Sequence, residues 1–251
     1  SFVNVGDNVS VTATFSEVVN VSGTPTLTLA VGSDNRTASY ASGDNSTDLV
    51  FRYTIQAGDT DSDGISIRAN ALDNNSSTIR DRAGNIATDF THSAVSDNSS
   101  YIVDTTPPTV SSVAITNVVG AQNSFVNAGD NVSVTVTFSE SPISAVIVDN
   151  TSAATLTLKV GNDNRTATYD SGDSTIVSSG SDNASLVFRY TIQATNTSGE
   201  NDDDGISIGA DSLNSNIRDA AGNIATDLTH SAVDHNSSYK VDTIPPAVIT
   251  F

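Results

Sequence analysis

The stretch Gly58-Asp-Thr-Asp-Ser-Asp-Gly-Ile-Ser-Ile67 holds the residues whose types and spacing could do chemistry. Asp59, Asp61 and Asp63 stand two apart and end in Gly64. Carboxylates this close repel one another unless a cation neutralises them. Hard cations such as Ca²⁺ take roughly 6–8 oxygen ligands from carboxylates, carbonyls and Asn side chains. The pattern matches the first half of an EF-hand loop, yet Asn70 stands where the bidentate Glu would be. Alternating segments, LVFRYTIQA before and ISIRA after, flank the loop in place of helices. An EF-hand is therefore excluded, and a calcium loop of β type remains. Asp, Asn and Gly also populate turns for backbone reasons alone, so a plain solvated turn is the competing reading.

The elements that must position these acids come from an internal repeat. SFVNVGDNVSVTATFSE (Ser1–Glu17) returns as SFVNAGDNVSVTVTFSE (Ser124–Glu140), LVFRYTIQA returns at Leu186–Ala194, and AGNIATD returns at Ala221–Asp227. SSYIVDTTPPTV closes the first copy and SSYKVDTIPPAV the second. The copies differ by insertions, after Glu140, after Asp173 and before Asp202, which marks those points as loops. The shared blocks are short, alternating, rich in Val, Ile and Thr, and bounded by Gly, Asn, Asp or Pro. About seven such strands per ~100–120 residues predict an all-β chain of two tandem immunoglobulin-like, Greek-key β-sandwiches. The expected modules are 1–104 and 105–242, with 243–251 opening a third. Strand A of the second copy, Thr109–Thr116, has no counterpart in the first, so the first module is expected to lack that strand. The remaining strands of the second copy are expected at Asn131–Phe138, Thr155–Val160, Arg165–Tyr169, Leu186–Gln193, Ile206–Ala210 and Ser238–Asp242. The chain reads as a window from a longer array.

Composition narrows the partners. Of 251 residues, 29 are acidic and 10 basic, a formal charge of −19. Nucleic acid and anionic membrane both need a basic surface, so neither is an expected partner. No cysteine is present, so neither a disulfide nor a thiolate nucleophile can form. No apolar run reaches membrane-spanning length, and no signal-peptide pattern opens the sequence. His92 and His230 are equivalent in the repeat and His235 stands alone, with spacings that match no zinc motif. No nucleophile elbow occurs, and the absence of Trp leaves few platforms for a sugar.

Successive strands of a sandwich run up and down, so loops sort to two poles. Asp7, the Asp59–Asp63 loop and Asp104 fall at one pole of the first module. Glu140, Asp219 and Asn223 fall at the pole of the second module expected to face it across the linker. Asp130, Asp202, Asp204, Asp242, Glu17 and Asp81 occupy repeat-related positions and complete the candidate metal set.

VTVTFSE, IRDAAGN and VDTxPP, in this order and about once per hundred residues, resemble the bacterial Ig-like repeats of giant RTX-type and biofilm-associated surface adhesins, with some likeness to cadherin repeats. The resemblance implies a tandem extender in which Ca²⁺ at module junctions stiffens a stalk, with Asp104, Glu140, Asp219 and the Asp59–Asp63 loop as ligands. It implies a non-enzymatic, monomeric, extracellular protein whose partners are neighbouring modules of the same chain. Two rival readings are a ligand-binding adhesin module, for polysaccharide or another cell, and an accessory domain of a secreted hydrolase. Near-identical tandem copies favour the spacer.

Overall fold

The computed structural model describes residues 1–139, 146–148, 154–175, 183–194 and 200–250. Glu140, a candidate ligand, lies outside these residues. Among the described residues the chain is all-β. It divides into two compact units, residues 1–106 with 221–223, and residues 107–220 with 224–251.

In the first unit the strands are β1 (Phe2–Val3), β2 (Asn8–Ser22), β3 (Thr26–Val31), β4 (Asp34–Ser42), β5 (Ser46–Thr54), β6 (Thr60–Asp61), β7 (Leu72–Asp73), β8 (Thr78–Asp81) and β9 (Ile102–Asp104). A six-stranded sheet runs β7-β3-β4-β5-β2-β8, and a three-stranded sheet runs β1-β9-β6. Alternation places Leu27, Leu29, Leu49, Phe51 and Ile79 of the large sheet in one core with Val103 of the small one. The Tyr40 and Phe51 rings meet edge to face, centroids 6.1 Å apart.

In the second unit the strands are β10 (Thr109–Val119), β11 (Phe125–Val126), β12 (Asn131–Ser139), β13 (Val146–Val148), β14 (Thr155–Val160), β15 (Asp163–Thr175), β16 (Asn183–Thr191), β17 (Asn201–Asp202), β18 (Leu213–Asn214), β19 (Ile217–Asp219) and β20 (Lys240–Asp242). The corresponding sheets run β10-β12-β16-β15-β14-β18 and β11-β20-β17, with β13-β19 as a separate pair. Val132, Val134, Val136 and Phe138 alternate along β12 and are fully buried. The Tyr169–Phe188 contact, at 6.0 Å, repeats that of Tyr40 and Phe51.

Two differences from the sequence expectation concern strands. Ile206–Ala210 forms isolated bridges, Ser207 with Lys159 and Ile208 with Val233, where a full strand is expected. A glycine before it and the turn after it leave too few residues to form a ladder. The small three-stranded sheets are the second difference. Their strands are two or three residues long, too short for an alternating pattern to register.

Two joints of this framework position the acids. Strands β3 and β4, like β14 and β15, are joined by two-residue turns, Val31 pairing Asp34 and Val160 pairing Asp163. Strand β6 pairs antiparallel with β9, placing Asp61 opposite Val103 and Thr60 opposite Asp104. Strand β17 pairs with β20 in the same way, Asp202 opposite Val241 and Asn201 opposite Asp242.

Candidate metal centre

The three acids of the opening stretch have three different fates. Asp59 is buried, and protein donors occupy both of its oxygens. Oδ1 accepts the Arg36 Nε–H at 2.5 Å, while Oδ2 accepts the Tyr53 hydroxyl at 2.6 Å and the Gln56 amide at 2.8 Å. Burial pushes the Asp59 carboxyl up, but the Tyr53 hydroxyl, the Gln56 amide and the Arg36 guanidinium together hold it below the usual range. Burial, reinforced by the hydrogen bond to Asp59, pushes the Tyr53 phenol up to about 12. Asp59 is thus an anchor that ties the loop to β4 and β5.

Asp61 is also buried, and its donors are all backbone amides. Oδ2 accepts Gly32 N–H at 2.7 Å, from the β3–β4 turn, and Oδ1 accepts Gly64 N–H at 2.7 Å and Asp63 N–H at 3.3 Å. Each carboxylate oxygen has two lone pairs, so these bonds leave acceptor capacity at the loop. Gly64 holds φ at +107°, and a Cβ there would meet the Asn98 carbonyl oxygen at 2.1 Å. That requirement explains the glycine after the third acid. Asp63 is exposed. A hydrogen bond to the neighbouring Asp61 carboxylate, with the Asp97 and Asp61 charges, pushes the Asp63 carboxyl up. The first unit therefore gathers Asp61, Asp63 and Asp97 closely enough for their charges to interact.

The second unit rebuilds the arrangement with different residues. Glu200 takes the Asp59 position, accepting from the Arg165 guanidinium, the Tyr190 hydroxyl and, at 2.9 Å, the Gln193 amide. Glu200 thus meets the same three kinds of partner as Asp59. Asp202 takes the Asp61 position, with Gly161 N–H on Oδ2 at 2.7 Å and Gly205 N–H on Oδ1 at 2.8 Å. Burial pushes the Asp202 carboxyl up. The hydrogen bond with Asp202, aided by the charges of His235 and Lys240, pulls Asp204 down. Asp202, Asp204 and His235 each offer one ligand atom, all within 4.8 Å of one another, and this cluster could hold a metal ion. They border a cleft of about 390 Å³ that Lys159 also lines.

His235 is the residue that sequence reasoning set apart, and the structure corrects that isolation. Its Nδ1 lies 2.8 Å from the Gly205 carbonyl and 3.5 Å from Asp204 Oδ1. The signal was present in the repeat, because THSAVSDN aligns with THSAVDHN and puts Asp97 opposite His235. Arg36, Tyr53, Arg165 and Tyr190 were missed too, although NRTASY, NRTATY and the two copies of LVFRYT carry them. His92 and His230 serve the loops: Nε2 accepts the Ala71 amide at 2.8 Å and the Ser212 amide at 2.9 Å, respectively.

The remaining candidates are spread along both units. Asp7 and Asp130 close tight turns, their Oδ2 atoms accepting Asn4 N–H at 3.0 Å and Asn127 N–H at 2.8 Å. Asp104 ends β9 beside the β6 loop, its Oδ1 accepting Thr106 N–H at 3.0 Å, and Asp242 repeats this with Ile244 N–H at 3.0 Å. Asp81 accepts the Asn85 amide at 2.7 Å and the Asn85 side chain at 2.6 Å. The Asn85 side chain, first, and its amide hold the Asp81 carboxyl below the usual range. Asp219 is buried at the end of β19 and precedes Asn223 by the same four-residue spacing. Glu17 is exposed within β2.

The two centres differ in charge. Lys159, His235 and Lys240 stand where the first unit has Ala30, Asp97 and Ile102. The second unit in turn carries Asp203 and Asp234 where the first has Ser62 and Ser96. A search of protein-family models finds no match to the chain, and a search of curated proteins finds none either.

Proposed function

We propose that this chain is a pair of Ca²⁺-stabilised immunoglobulin-like β-sandwich modules from the extender of a long bacterial cell-surface adhesin, a non-enzymatic spacer that works outside the cell. One observation carries the reading. In both units a buried aspartate is fixed by the hairpin-turn amide and by the amide of the loop's own glycine. In both, a second acid follows two residues later, and a third ligand-type residue comes from the loop before the last strand. This preorganised group of oxygens suits a hard divalent cation, which would neutralise the neighbouring Asp61, Asp63 and Asp97 charges. Asp61, Asp63 and Asp97 would hold the ion in the first unit, with loop carbonyls and water completing the shell. Asp202, Asp204 and His235 would hold it in the second. A module repeated almost unchanged suits a spacer, whose task is length and resistance to force.

The test is single-molecule stretching of the chain in millimolar Ca²⁺ and in chelator. Calcium should raise the unfolding force of the units, and a thermal melt should rise in parallel, because a ligand that binds only the folded state stabilises it by RT ln(1 + [L]/Kd). Equal forces and equal melting midpoints in the two conditions would sink the reading.

A further inference from the structure

The two metal centres share one backbone frame and differ in the kind of atom they offer. Main-chain bonds clamp two loops together in each unit. In the first, Asn98 N–H donates to the Ile65 carbonyl and Ile65 N–H to the Tyr101 carbonyl. In the second, Asn236 N–H donates to the Ile206 carbonyl and Ile206 N–H to the Tyr239 carbonyl. The clamp is tight, since a Cβ on Gly205 would meet the Asn236 carbonyl oxygen at 2.0 Å. The residue just before the clamped asparagine is Asp97 in the first unit and His235 in the second. The same frame therefore presents three carboxylates in one unit, and two carboxylates with an imidazole in the other.

The atoms around His235 have the spacing of a ligand shell. Its Nδ1 lies 3.5 Å from Asp204 Oδ1 and 2.8 Å from the Gly205 carbonyl oxygen. Neighbouring ligands on a metal with bonds of about 2.0–2.1 Å stand roughly 3.0–3.4 Å apart, from octahedral to tetrahedral angles. Asp202, buried and pinned by the Gly161 and Gly205 amides, brings the third atom within 4.8 Å of the other two. With the ring proton on Nε2, Nδ1 of the half-exposed imidazole offers its lone pair to the ion. Charge does not choose the ion here, because Lys159 and Asp203 both line the cleft. Donor type does. Ca²⁺ is held by oxygens, whereas imidazole nitrogen suits Zn²⁺, Ni²⁺ and Cu²⁺. We propose that the second unit's centre binds a borderline divalent metal of the Zn²⁺ class in preference to Ca²⁺, with His235 as the selecting ligand. The inference rests on the reading of these loops as metal sites and changes only the ion that the second one selects.

Three histidines in the chain make the test specific. In ¹H–¹⁵N spectra of the whole chain in millimolar Ca²⁺, one equivalent of Zn²⁺ should move the His235 ring signals. Those of His92 and His230 should stay in place, because their Nε2 atoms already accept backbone amides. His235→Ala and His235→Asp should each cost at least about tenfold in Zn²⁺ affinity, with the fold intact by circular dichroism. Asp97→His should in turn give the first unit a Zn²⁺-responsive imidazole, a gain that a merely structural position would not produce. Unmoved His235 signals, equal movement of all three histidines, or Zn²⁺ affinity unchanged in both His235 variants would overturn the proposal. A chain stabilised by Ca²⁺ whose His235 ignores Zn²⁺ loses this inference and keeps the calcium reading. A chain that takes Zn²⁺ at His235 and gains nothing from Ca²⁺ does the reverse.

Discussion

Asp61→Ala separates the architectural role of the loop from its cation-binding role. The carboxylate is 4% exposed and accepts two amides at 2.7 Å and a third at 3.3 Å. The Gly64 amide is buried and would lose its acceptor, at a cost of about 1–3 kcal/mol. Gly32 sits in an exposed turn, so water can replace part of its bond and its loss adds about 0.5–1 kcal/mol. The sum, about 1.5–4 kcal/mol, corresponds to a drop of roughly 8–20 °C in the melting of a unit of this size. The assay is a calorimetric or circular-dichroism melt of wild type, Asp61→Asn and Asp61→Ala, each in chelator and in millimolar Ca²⁺. In chelator the alanine variant should show the full drop, and the asparagine variant about half, since its amide keeps one acceptor oxygen. In calcium the gap between wild type and either variant should widen, because the variants also lose a ligand. An alanine variant that melts within about 2 °C of wild type in chelator would refute the claim that Asp61 holds the loop. A gap identical in the two conditions would confine Asp61 to that structural role.

Other expected outcomes follow from the same geometry. Asp63→Asn should raise the first unit's melting temperature in chelator, by relieving like-charge repulsion, and lower it in calcium; the same sign in both conditions would contradict a cation at this loop. Tyr53 has its phenol raised above the unfolded value of about 10, so its contribution is fully present below pH 10 and is lost as pH rises through about 12; absorbance titration near 295 nm against Tyr53→Phe would show it. Asp59 has the opposite sign: held below its unfolded value, it stabilises above that value and loses its contribution as pH falls through the folded one, so Asp59→Asn should flatten the acid limb of the stability curve. Asp97→His should weaken calcium stabilisation of the first unit, and His235→Asp should strengthen that of the second, read from the melting increment of each. Gly64→Ala forces a Cβ to within 2.1 Å of the Asn98 carbonyl and should cost about 2 kcal/mol or more, visible as a lowered melt in either condition.

The sequence alone determined the strand-forming blocks, because alternation in VSVTVTF, TLTLKV and LVFRYT is a local property that survives into the buried rows of β12, β14 and β16. It also determined the twofold repeat. What it could not assign was the division of labour within DxDxDG. Asp59, Asp61 and Asp63 are chemically alike along the chain, and only folding sends the first to Arg36 and Tyr53, the second to Gly32, and the third to solvent. His235 illustrates the same limit. It lies thirty-one residues from Asp204, and a bridge between β17 and β20 is what brings their two loops together. Glu200 stands where the first copy has Asp59, yet it keeps the same kind of partners after a longer insertion. Periodicity reports which face a side chain takes, and tertiary contact decides what it meets there.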